Sequence, residues 1–232
     1  MFELVLSAPG KNALSTSVLE DLRRRLSGAR GEPLLLTGAG DAFCAGLNLK
    51  EVAALDLDGA RRLLRALEVL VGELFTYPAP TVALVNGHAI AGGCVLALCC
   101  DHRVAASDPR IRIGLNETAL GLPFPPKVLA MVRSRVPPGA LDRVILEAGL
   151  HPPEQARALG LVDEVADDAR AVAVAALERL SGHPRDAYAR NKALMRAGVL
   201  EAQGQATEDE LARIWGSAEV RARAAAALQG KR

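Results

Sequence analysis

The segment that most constrains the fold runs from 81 to 101 and reads T-V-A-L-V-N-G-H-A-I-A-G-G-C-V-L-A-L-C-C-D. Its apolar, partly β-branched start at 81–85 predicts a buried strand. An Asn-Gly pair at 86–87 interrupts that strand. The unbroken apolar run from 94 to 100 predicts a helix that is buried on all sides. The glycine pair Gly92–Gly93 therefore stands at the start of this helix.

A helix start with two glycines is a chemically distinctive place. The first N–H groups of a helix lack intrahelical acceptors and carry the positive end of its dipole. Glycine has no Cβ atom to keep a ligand away from the backbone. Gly92 and Gly93 therefore indicate a place where main-chain N–H groups hold a developing negative charge. A second explanation stays open at this point, namely that the two glycines only allow close packing between helix and strand.

The composition excludes several classes of function. The chain has 232 residues, of which 50% are apolar, so it can bury the core of one large domain or of one domain with an appendage. Its 28 basic and 27 acidic residues nearly cancel, which argues against a nucleic-acid surface. No apolar run is long enough to span a membrane. We expect a cytoplasmic protein without a signal peptide, and reduced, buried cysteines at Cys44, Cys94, Cys99 and Cys100.

Periodicity predicts an alternation of strands and helices along the chain. Strands are predicted at 2–6, 34–37, 81–85, 102–106, 111–113 and 161–165, and helices at 59–76, 94–100, 126–135, 138–148 and 153–159 before a helical tail. Ser17 and Glu20 fit a capping box for a first helix, and Thr207 and Glu210 fit a second one in the tail. The pattern predicts an α/β fold without a flexible linker.

The glycine-rich loop that begins at Gly38 is not a dinucleotide fingerprint, because Phe43 stands where the third glycine would be needed. The four histidines are scattered without ligand spacing, so no metal site is expected.

The glycine-rich loop nevertheless resembles the start of the helix at Gly92, since Ala45-Gly46-Leu47 also follows a predicted strand. If the fold brings both together, the N–H groups of Leu47 and Gly92 can converge on one oxygen. The loss of one such donor typically costs about 3 kcal/mol of transition-state stabilisation.

Glu117 is the candidate base. It lies within G-L-N-E-T-A-L-G-L, whose residues are otherwise uncharged, so a desolvated carboxyl with a raised pKa is expected there. The alternative is an exposed residue at the start of a helix, since Asn116-Glu117-Thr118 suits a helix N-terminus. A carboxyl beside two fixed N–H donors suits removal of a proton next to a carbonyl group.

Four segments in fixed order resemble the crotonase (enoyl-CoA hydratase/isomerase) family. They are A-F-C-A-G-L-N-L-K-E at 42–51, V-N-G-H-A-I-A-G-G-C at 85–94, C-D-H-R-V at 100–104 and I-G-L-N-E-T-A-L-G at 113–121. The resemblance implies a crotonase-like spiral of ββα turns over 1–170, which carries an acyl-CoA site. It also implies a helical region at 171–232 that builds a trimer or a dimer of trimers.

The same resemblance implies roles for individual residues. A CoA thioester would place its carbonyl oxygen on the N–H groups of Leu47 and Gly92, with Glu117 as the catalytic carboxyl. The residues implied to bind substrate are Cys44, Ala45, Gly46, Leu47, Asn48 and Gly92. CoA is part of the substrate, and no metal or other cofactor is expected. Nucleic-acid and membrane partners are not expected either.

Val95 decides which reaction the resemblance favours. The hydratases of the family carry a second glutamate at the position of Val95, and this apolar side chain cannot activate water. Glu117 alone still suffices for a 1,3-proton shift, so the expected activity is that of a Δ3,Δ2-enoyl-CoA isomerase in fatty-acid β-oxidation. Two alternatives stay open. They are a 2-enoyl-CoA hydratase or another crotonase-fold acyl-CoA enzyme, and a non-catalytic acyl-CoA-binding subunit.

Several positions depart from the family pattern. The aspartate that is common in the A-G-x-D-L loop is Asn48 here, and the basic residue that many members place before the first turn is Ala8. The remaining candidates for binding the CoA phosphates are Lys11, Lys50 and Lys192. His88 is expected to be a structural hydrogen-bonding residue.

Overall fold

The computed structural model of the chain describes residues 1–201 and 207–230. Its strands are β1 (Phe2–Leu6), β2 (Leu34–Gly38), β3 (Ala42–Cys44), β4 (Thr81–Val85), β5 (His88–Ile90), β6 (His102–Ala106), β7 (Ile113–Gly114) and β8 (Glu164–Ala166). Its helices are α1 (Pro9–Asn12), α2 (Thr16–Gly28), α3 (Leu49–Val52), α4 (Leu57–Phe75), α5 (Gly92–Cys99), α6 (Pro126–Arg135), α7 (Leu141–Ile145), α8 (Pro153–Ala158), α9 (Ala169–Ser181), α10 (Arg185–Arg196), α11 (Glu208–Trp215) and α12 (Ala218–Gln229).

The strands form two parallel sheets. The larger sheet has the order β1-β2-β4-β6-β8, and the smaller one has the order β3-β5-β7. Each successive turn of the chain, first β2-β3-α4 and then β4-β5-α5, adds one strand to each sheet before a helix follows. The pair β6-β7 begins the next turn. This arrangement confirms the predicted crotonase-like ββα spiral.

The core lies between the larger sheet and the helices of the spiral. Every residue of α5 is buried, as the continuous apolar run predicted. Helix α4 buries the apolar face that its spacing predicts, which includes Leu63, Leu67, Leu70 and Leu74. On the opposite side, Ala173 and Leu177 of α9 pack with Leu35 and Val82 of the larger sheet. All four cysteines are free and buried.

The helical tail packs back onto the spiral. Helix α11 contacts α4, and α12 contacts α3. Thr207 caps α11 as predicted, because its hydroxyl oxygen accepts a 3.2 Å hydrogen bond from the Glu210 N–H. The division of the chain at residue 170 stays a prediction. Helix α9, which begins at that boundary, covers one face of the larger sheet.

Three local expectations are wrong. The cap of α2 is Ser15, whose hydroxyl oxygen accepts from the Val18 N–H, whereas Ser17 lies inside the first turn. Strands β3 and β5 fall within stretches predicted as loop and turn, because three residues are too few for a periodic signal. The helix predicted at 138–148 is a 3₁₀ turn at Pro138–Ala140 followed by the short α7.

Two further observations concern residues 1–201 and 207–230. None of the helices in these ranges combines the length and apolar character needed to cross a bilayer. Within the same ranges, no three His, Cys, Asp or Glu side chains are grouped as metal ligands would be.

Candidate active site

The candidate site lies at one edge of the smaller sheet. Leu47 follows the end of β3, Gly92 begins the helix after β5, and Glu117 follows the end of β7. These three strands are parallel neighbours, so their carboxyl ends meet at the same edge. Ligands of parallel α/β sheets bind outside the carboxyl ends of the strands. The topology therefore brings together the three residues that the sequence singled out, although they lie far apart in the chain.

The loop after β3 fixes the direction of the Leu47 N–H group. Leu14 N–H donates to Gly46 O at 2.8 Å, and Asn48 N–H donates to Leu14 O at 2.9 Å. The two hydrogen bonds form a parallel β-bridge between Leu14 and Leu47. They use the carbonyl group of Gly46 and the N–H group of Asn48, on either side of Leu47. The Leu47 N–H itself donates to no backbone carbonyl within residues 1–201 and 207–230. It is thereby left free to donate to a ligand.

Close packing requires glycine at position 46. Gly46 has φ +86°, and a Cβ atom there would lie 2.7 Å from Ile90 O at the end of β5. The loop after β3 therefore lies directly against the residues that precede the helix start.

The two glycines at the start of α5 have different roles. A Cβ on Gly93 would collide with the Cys44 carbonyl oxygen, so this glycine is required for close packing. A Cβ on Gly92 would lie 3.2 Å from Leu14 Cδ1 and 3.7 Å from Leu47 Cδ2. Gly92 thus faces the Leu47 loop, and its N–H is one of the first-turn groups without an intrahelical acceptor. Close packing therefore explains Gly93, whereas the role of the Gly92 N–H as a donor to a negative charge stays a prediction.

Two residues near the helix start carry no signal in the sequence. Ala91 adopts φ +50° and ψ −122°, a conformation that non-glycine residues rarely take. Leu14 joins the Leu47 loop by its backbone and contacts the Gly92 position by its side chain. The unusual backbone conformation of Ala91 is not predictable from its residue type. The contacts of Leu14 are not predictable from local sequence either, because they join segments that lie far apart in the chain.

The other predicted substrate-binding residues shape the same loop. The Cys44 thiol donates to Asn12 O at 3.0 Å, and burial raises its pKa to about 12, so the thiol stays protonated. Ala45 N–H donates to Lys11 O at 3.0 Å. The Asn48 side chain caps α3 by accepting from the N–H groups of residues 50 and 51. These residues hold the loop in place, and Asn48 caps as an aspartate would.

Glu117 is buried at the start of a 3₁₀ turn. Its side chain is 6% exposed, which contradicts the alternative of an exposed helix-entry residue. Burial raises the pKa of its carboxyl to about 8 from an ordinary 4.5. Its Oε2 atom is buried without a hydrogen-bond partner in the described part of the chain. A carboxyl in this setting is neutral at low pH and, once ionised, is a stronger base than an exposed carboxylate.

The helix that carries Gly92 also borders the base. Ala91 N–H donates to Gly114 O at 2.8 Å, which joins the helix start to the strand that leads to Glu117. Burial, and then the nearby Glu117 carboxyl, raises the pKa of the Cys94 thiol, which stays neutral. Val95 is buried and apolar, as the sequence shows. Of these three side chains, Glu117 is therefore the one that can both take up and release a proton near neutral pH.

The lysine candidates for CoA phosphates differ in their surroundings. Lys192 is buried, and its ammonium group donates to Asp101 at 2.7 Å and to Ala79 O at 3.0 Å, which contradicts its candidacy. Lys11 is exposed and pairs with Asp41 at 3.4 Å, and Lys50 is exposed. His88 accepts from the Arg112 N–H through Nδ1 at 3.0 Å, in agreement with a structural role.

The chain is similar to several known proteins. The model of the family described as enoyl-CoA hydratase/isomerase matches residues 2–219. The human mitochondrial enoyl-CoA delta isomerase 1 is 30% identical over 195 residues, covering 81% of this chain and 65% of the relative. A putative enoyl-CoA hydratase of Thermus thermophilus is 34% identical over 169 residues, covering 70% of this chain and 66% of the relative. The matches thus span slightly less than two thirds of these two relatives.

A solved structure agrees with the sequence comparisons. The crystal structure of human mitochondrial delta3-delta2-enoyl-CoA isomerase superposes with a TM-score of 0.89 at 26% identity and covers 97% of this chain and 91% of the human one. The family model, the spiral of ββα turns and the glycine-containing loops at the sheet edge lead to one conclusion. The chain belongs to the enoyl-CoA hydratase/isomerase family, also called the crotonase family.

Proposed function

We propose that this protein is an isomerase that converts 3-enoyl-CoA esters to trans-2-enoyl-CoA in fatty-acid β-oxidation. The observation that supports this proposal is the pairing of a single buried carboxyl, Glu117, with an apolar residue, Val95. A proton shift between two carbons of one substrate needs one base and no bound water. The similarity to the human isomerase, in sequence and in fold, points the same way.

The proposed reaction uses three groups. The ionised Glu117 carboxylate takes a proton from C2 of the 3-enoyl thioester. The electrons of that C–H bond delocalise onto the thioester oxygen, and the N–H groups of Leu47 and Gly92 stabilise the resulting dienolate. The protonated Glu117 then returns the proton to C4, so that the double bond lies between C2 and C3. The substrate neither gains nor loses electrons, so the proposal includes no metal or redox cofactor.

A second candidate is hydration of 2-enoyl-CoA. It is favoured by one observation, the 34% identity to a putative enoyl-CoA hydratase, which is at least as high as the identity to the human isomerase. Hydration needs a group that activates water and a group that supplies a proton to the substrate. Glu117 would have to fill both roles, since Val95 offers no polar atom. The isomerase is therefore the first proposal.

The two candidates are separated by one comparison of rates. The purified protein is given matched 3-enoyl-CoA and trans-2-enoyl-CoA esters with acyl chains of about six to twelve carbons, and double-bond shift and hydration are followed separately. We expect the double-bond shift to be the faster reaction at every chain length. Faster hydration would replace the proposal with the hydratase. Tight binding of the esters without either reaction would select the non-catalytic acyl-CoA-binding subunit.

We also propose that the chain assembles with copies of itself, as a trimer or a dimer of trimers. Helix α10 supports this proposal, because Leu194 and Met195 on it are 75% and 73% exposed. Neighbouring large apolar side chains that are both exposed are typical of surfaces that a partner covers. Light scattering coupled to size-exclusion chromatography measures the mass directly. A monomer at micromolar concentration would overturn the proposal, and Leu194→Glu should weaken the assembly.

A further inference from the structure

The carboxyl of Glu117 has few contacts that hold it in position. Its Oε2 atom has no hydrogen-bond partner in the described structure, so its place depends on the backbone that carries it. That backbone is a compact turn, since Glu117 O accepts 3.0 Å hydrogen bonds from the N–H groups of Leu120 and Leu122. The anchors of this turn therefore decide where the carboxyl lies.

One anchor comes from the tail of the chain. Trp215, the last residue of α11, is 1% exposed, and its indole Nε1–H donates to Pro123 O at 3.1 Å. Pro123 directly follows Leu122, whose N–H closes the turn on Glu117 O. The other anchor is Thr118, whose hydroxyl donates to Ile145 O at 2.7 Å. Thr118 thus ties the turn to α7 of the spiral, whereas Trp215 ties it to the helical tail.

The next helix of the tail touches both halves of the site. Helix α12 packs against α3, which follows the Leu47 loop, and against the 3₁₀ turn Thr118–Leu120, which follows Glu117. The Arg221 guanidinium donates to Leu55 O at 3.2 Å on the first side. On the second side, a Cβ on Gly121 would lie 3.1 Å from Nη1 of Arg223. The tail thus contacts both the segment that follows the Leu47 loop and the turn that follows Glu117.

We propose that Trp215 is a positioning residue for Glu117. Its indole N–H holds the turn 117–122 at the distance from the helix start that proton transfer requires. This inference rests on the proposed function for its kinetic consequence, but the placement of the carboxyl can be measured without any substrate. Hydrogen bonds that orient a catalytic group matter because a misplacement of about 1 Å can cost about a hundredfold in rate.

The substitution Trp215→Phe tests the proposal, because it keeps an aromatic ring in the same space and removes the N–H donor. We expect kcat for the double-bond shift to fall roughly ten- to a hundredfold while KM changes little, since the variant affects the reacting geometry more than binding. Ile214→Val is the matched control on the same helix, because Ile214 is 38% exposed. It should keep the activity of the native protein.

Infrared titration supplies a readout that does not need turnover. A protonated carboxyl gives its own carbonyl band in the infrared spectrum. The band that is present in the native protein and absent from Glu117→Gln is assigned to Glu117. The charged and titratable groups near this turn include the neutral Cys94 thiol of α5 and Arg223 of α12, which pairs with Glu219 at 2.7 Å. Trp215→Phe leaves them unchanged. We expect the band to titrate near pH 8 in the native protein and at lower pH in Trp215→Phe, because a released turn admits water to the carboxyl.

The outcomes separate the two proposals. An unchanged infrared midpoint in a folded Trp215→Phe variant overturns the positioning role, whatever reaction the native protein catalyses. The native protein could instead hydrate its substrate without isomerising it, while Trp215→Phe shifts the infrared midpoint. That result keeps the positioning role and rejects the isomerase. The variant could also simply be less stable, so Leu211→Ala serves as a second variant. Leu211 is buried on α11, and its truncation should lower the melting temperature without moving the midpoint of the infrared titration.

Discussion

The Ala91 N–H donates a 2.8 Å hydrogen bond to the Gly114 carbonyl oxygen, which ties the start of α5 to the strand that precedes Glu117. This bond fixes the start of α5 against the end of β7, the strand from which the chain continues to Glu117. The residues that carry out the proposed chemistry therefore sit on a rigid edge of the smaller sheet. Their substitution should change the reaction more than it changes the fold.

Replacing Glu117 by glutamine should nearly abolish the double-bond shift. Glutamine has a similar shape but cannot accept a proton, and a positioned base contributes about 10²–10⁴ in rate. Turnover of a 3-enoyl-CoA ester is the measurement. Glu20→Gln is a suitable control, since Glu20 is an exposed carboxyl. A Glu117→Gln variant that keeps most of its activity would show that another group is the base.

The rate should depend on pH through the same carboxyl. Only the ionised form can take the C2 proton, and burial raises the pKa of Glu117 to about 8. We therefore expect kcat/KM to rise about tenfold per pH unit well below that value and to level off above it. A series of initial rates at limiting substrate checks this. A profile that is flat from about pH 5.5 to pH 9 would contradict a raised pKa in the free protein.

Stability should respond to pH in the opposite direction. The folded protein keeps the Glu117 proton up to pH about 8, whereas the unfolded chain loses it near 4.5, so between these values the folded state binds more protons. The stability contribution of the neutral carboxyl is therefore complete below pH 4.5 and is lost as pH rises towards 8. We expect the free energy of unfolding to fall with pH more steeply in the native protein than in Glu117→Gln. Parallel curves from denaturant titrations would contradict this.

The two glycines of α5 should tolerate alanine differently. A Cβ on Gly93 collides with the Cys44 backbone, so Gly93→Ala should cost about 1–3 kcal/mol of stability through backbone displacement. Gly92→Ala meets the flexible end of Leu14, and it should fold with a smaller loss. Urea denaturation of both variants gives the comparison. Equal losses would mean that the two positions are packed alike.

Asp101 should matter for the stability of the fold rather than for the reaction. Its carboxylate pairs with Lys192 at 2.7 Å and Arg196 at 2.6 Å, and all three side chains are at most 10% exposed. Burial alone would raise the pKa of Asp101, but the two cations hold it below its usual range. Asp101→Asn leaves two buried cations without a charge partner, and we expect a loss of about 3–5 kcal/mol.

The control for Asp101→Asn is an exposed ion pair. Asp108 lies 2.7 Å from Arg110, whose side chain is 88% exposed, so Asp108→Asn should leave the unfolding midpoint almost unchanged. A comparable loss of stability in both variants would show that burial does not determine how much the Asp101 ion pairs stabilise the fold. The measurement is the unfolding midpoint of the two variants under identical conditions.

Much of the fold and of the candidate site could be predicted from local pattern. The run at 81–101 predicts a strand, a break and a buried helix, and each is found there. The uncharged surroundings of Glu117 predict a desolvated carboxyl, and its pKa is raised by burial. Strands β3 and β5 are not predictable in this way, because segments of three residues carry no periodic signal. The burial of Lys192 is not predictable from local pattern, because its partner Asp101 lies 91 positions away in the chain.

The sequence by itself determined which residues are suited to the chemistry, because glycine, leucine and glutamate act through intrinsic properties of backbone and carboxyl. Only the tertiary structure decided that Leu47, Gly92 and Glu117 meet at one sheet edge, since this depends on the parallel order β3-β5-β7. The structure alone also revealed Trp215 beneath the Glu117 turn. A hydrogen bond between residues 92 positions apart leaves no mark on local pattern. Its energy is realised only after the chain has closed into a core.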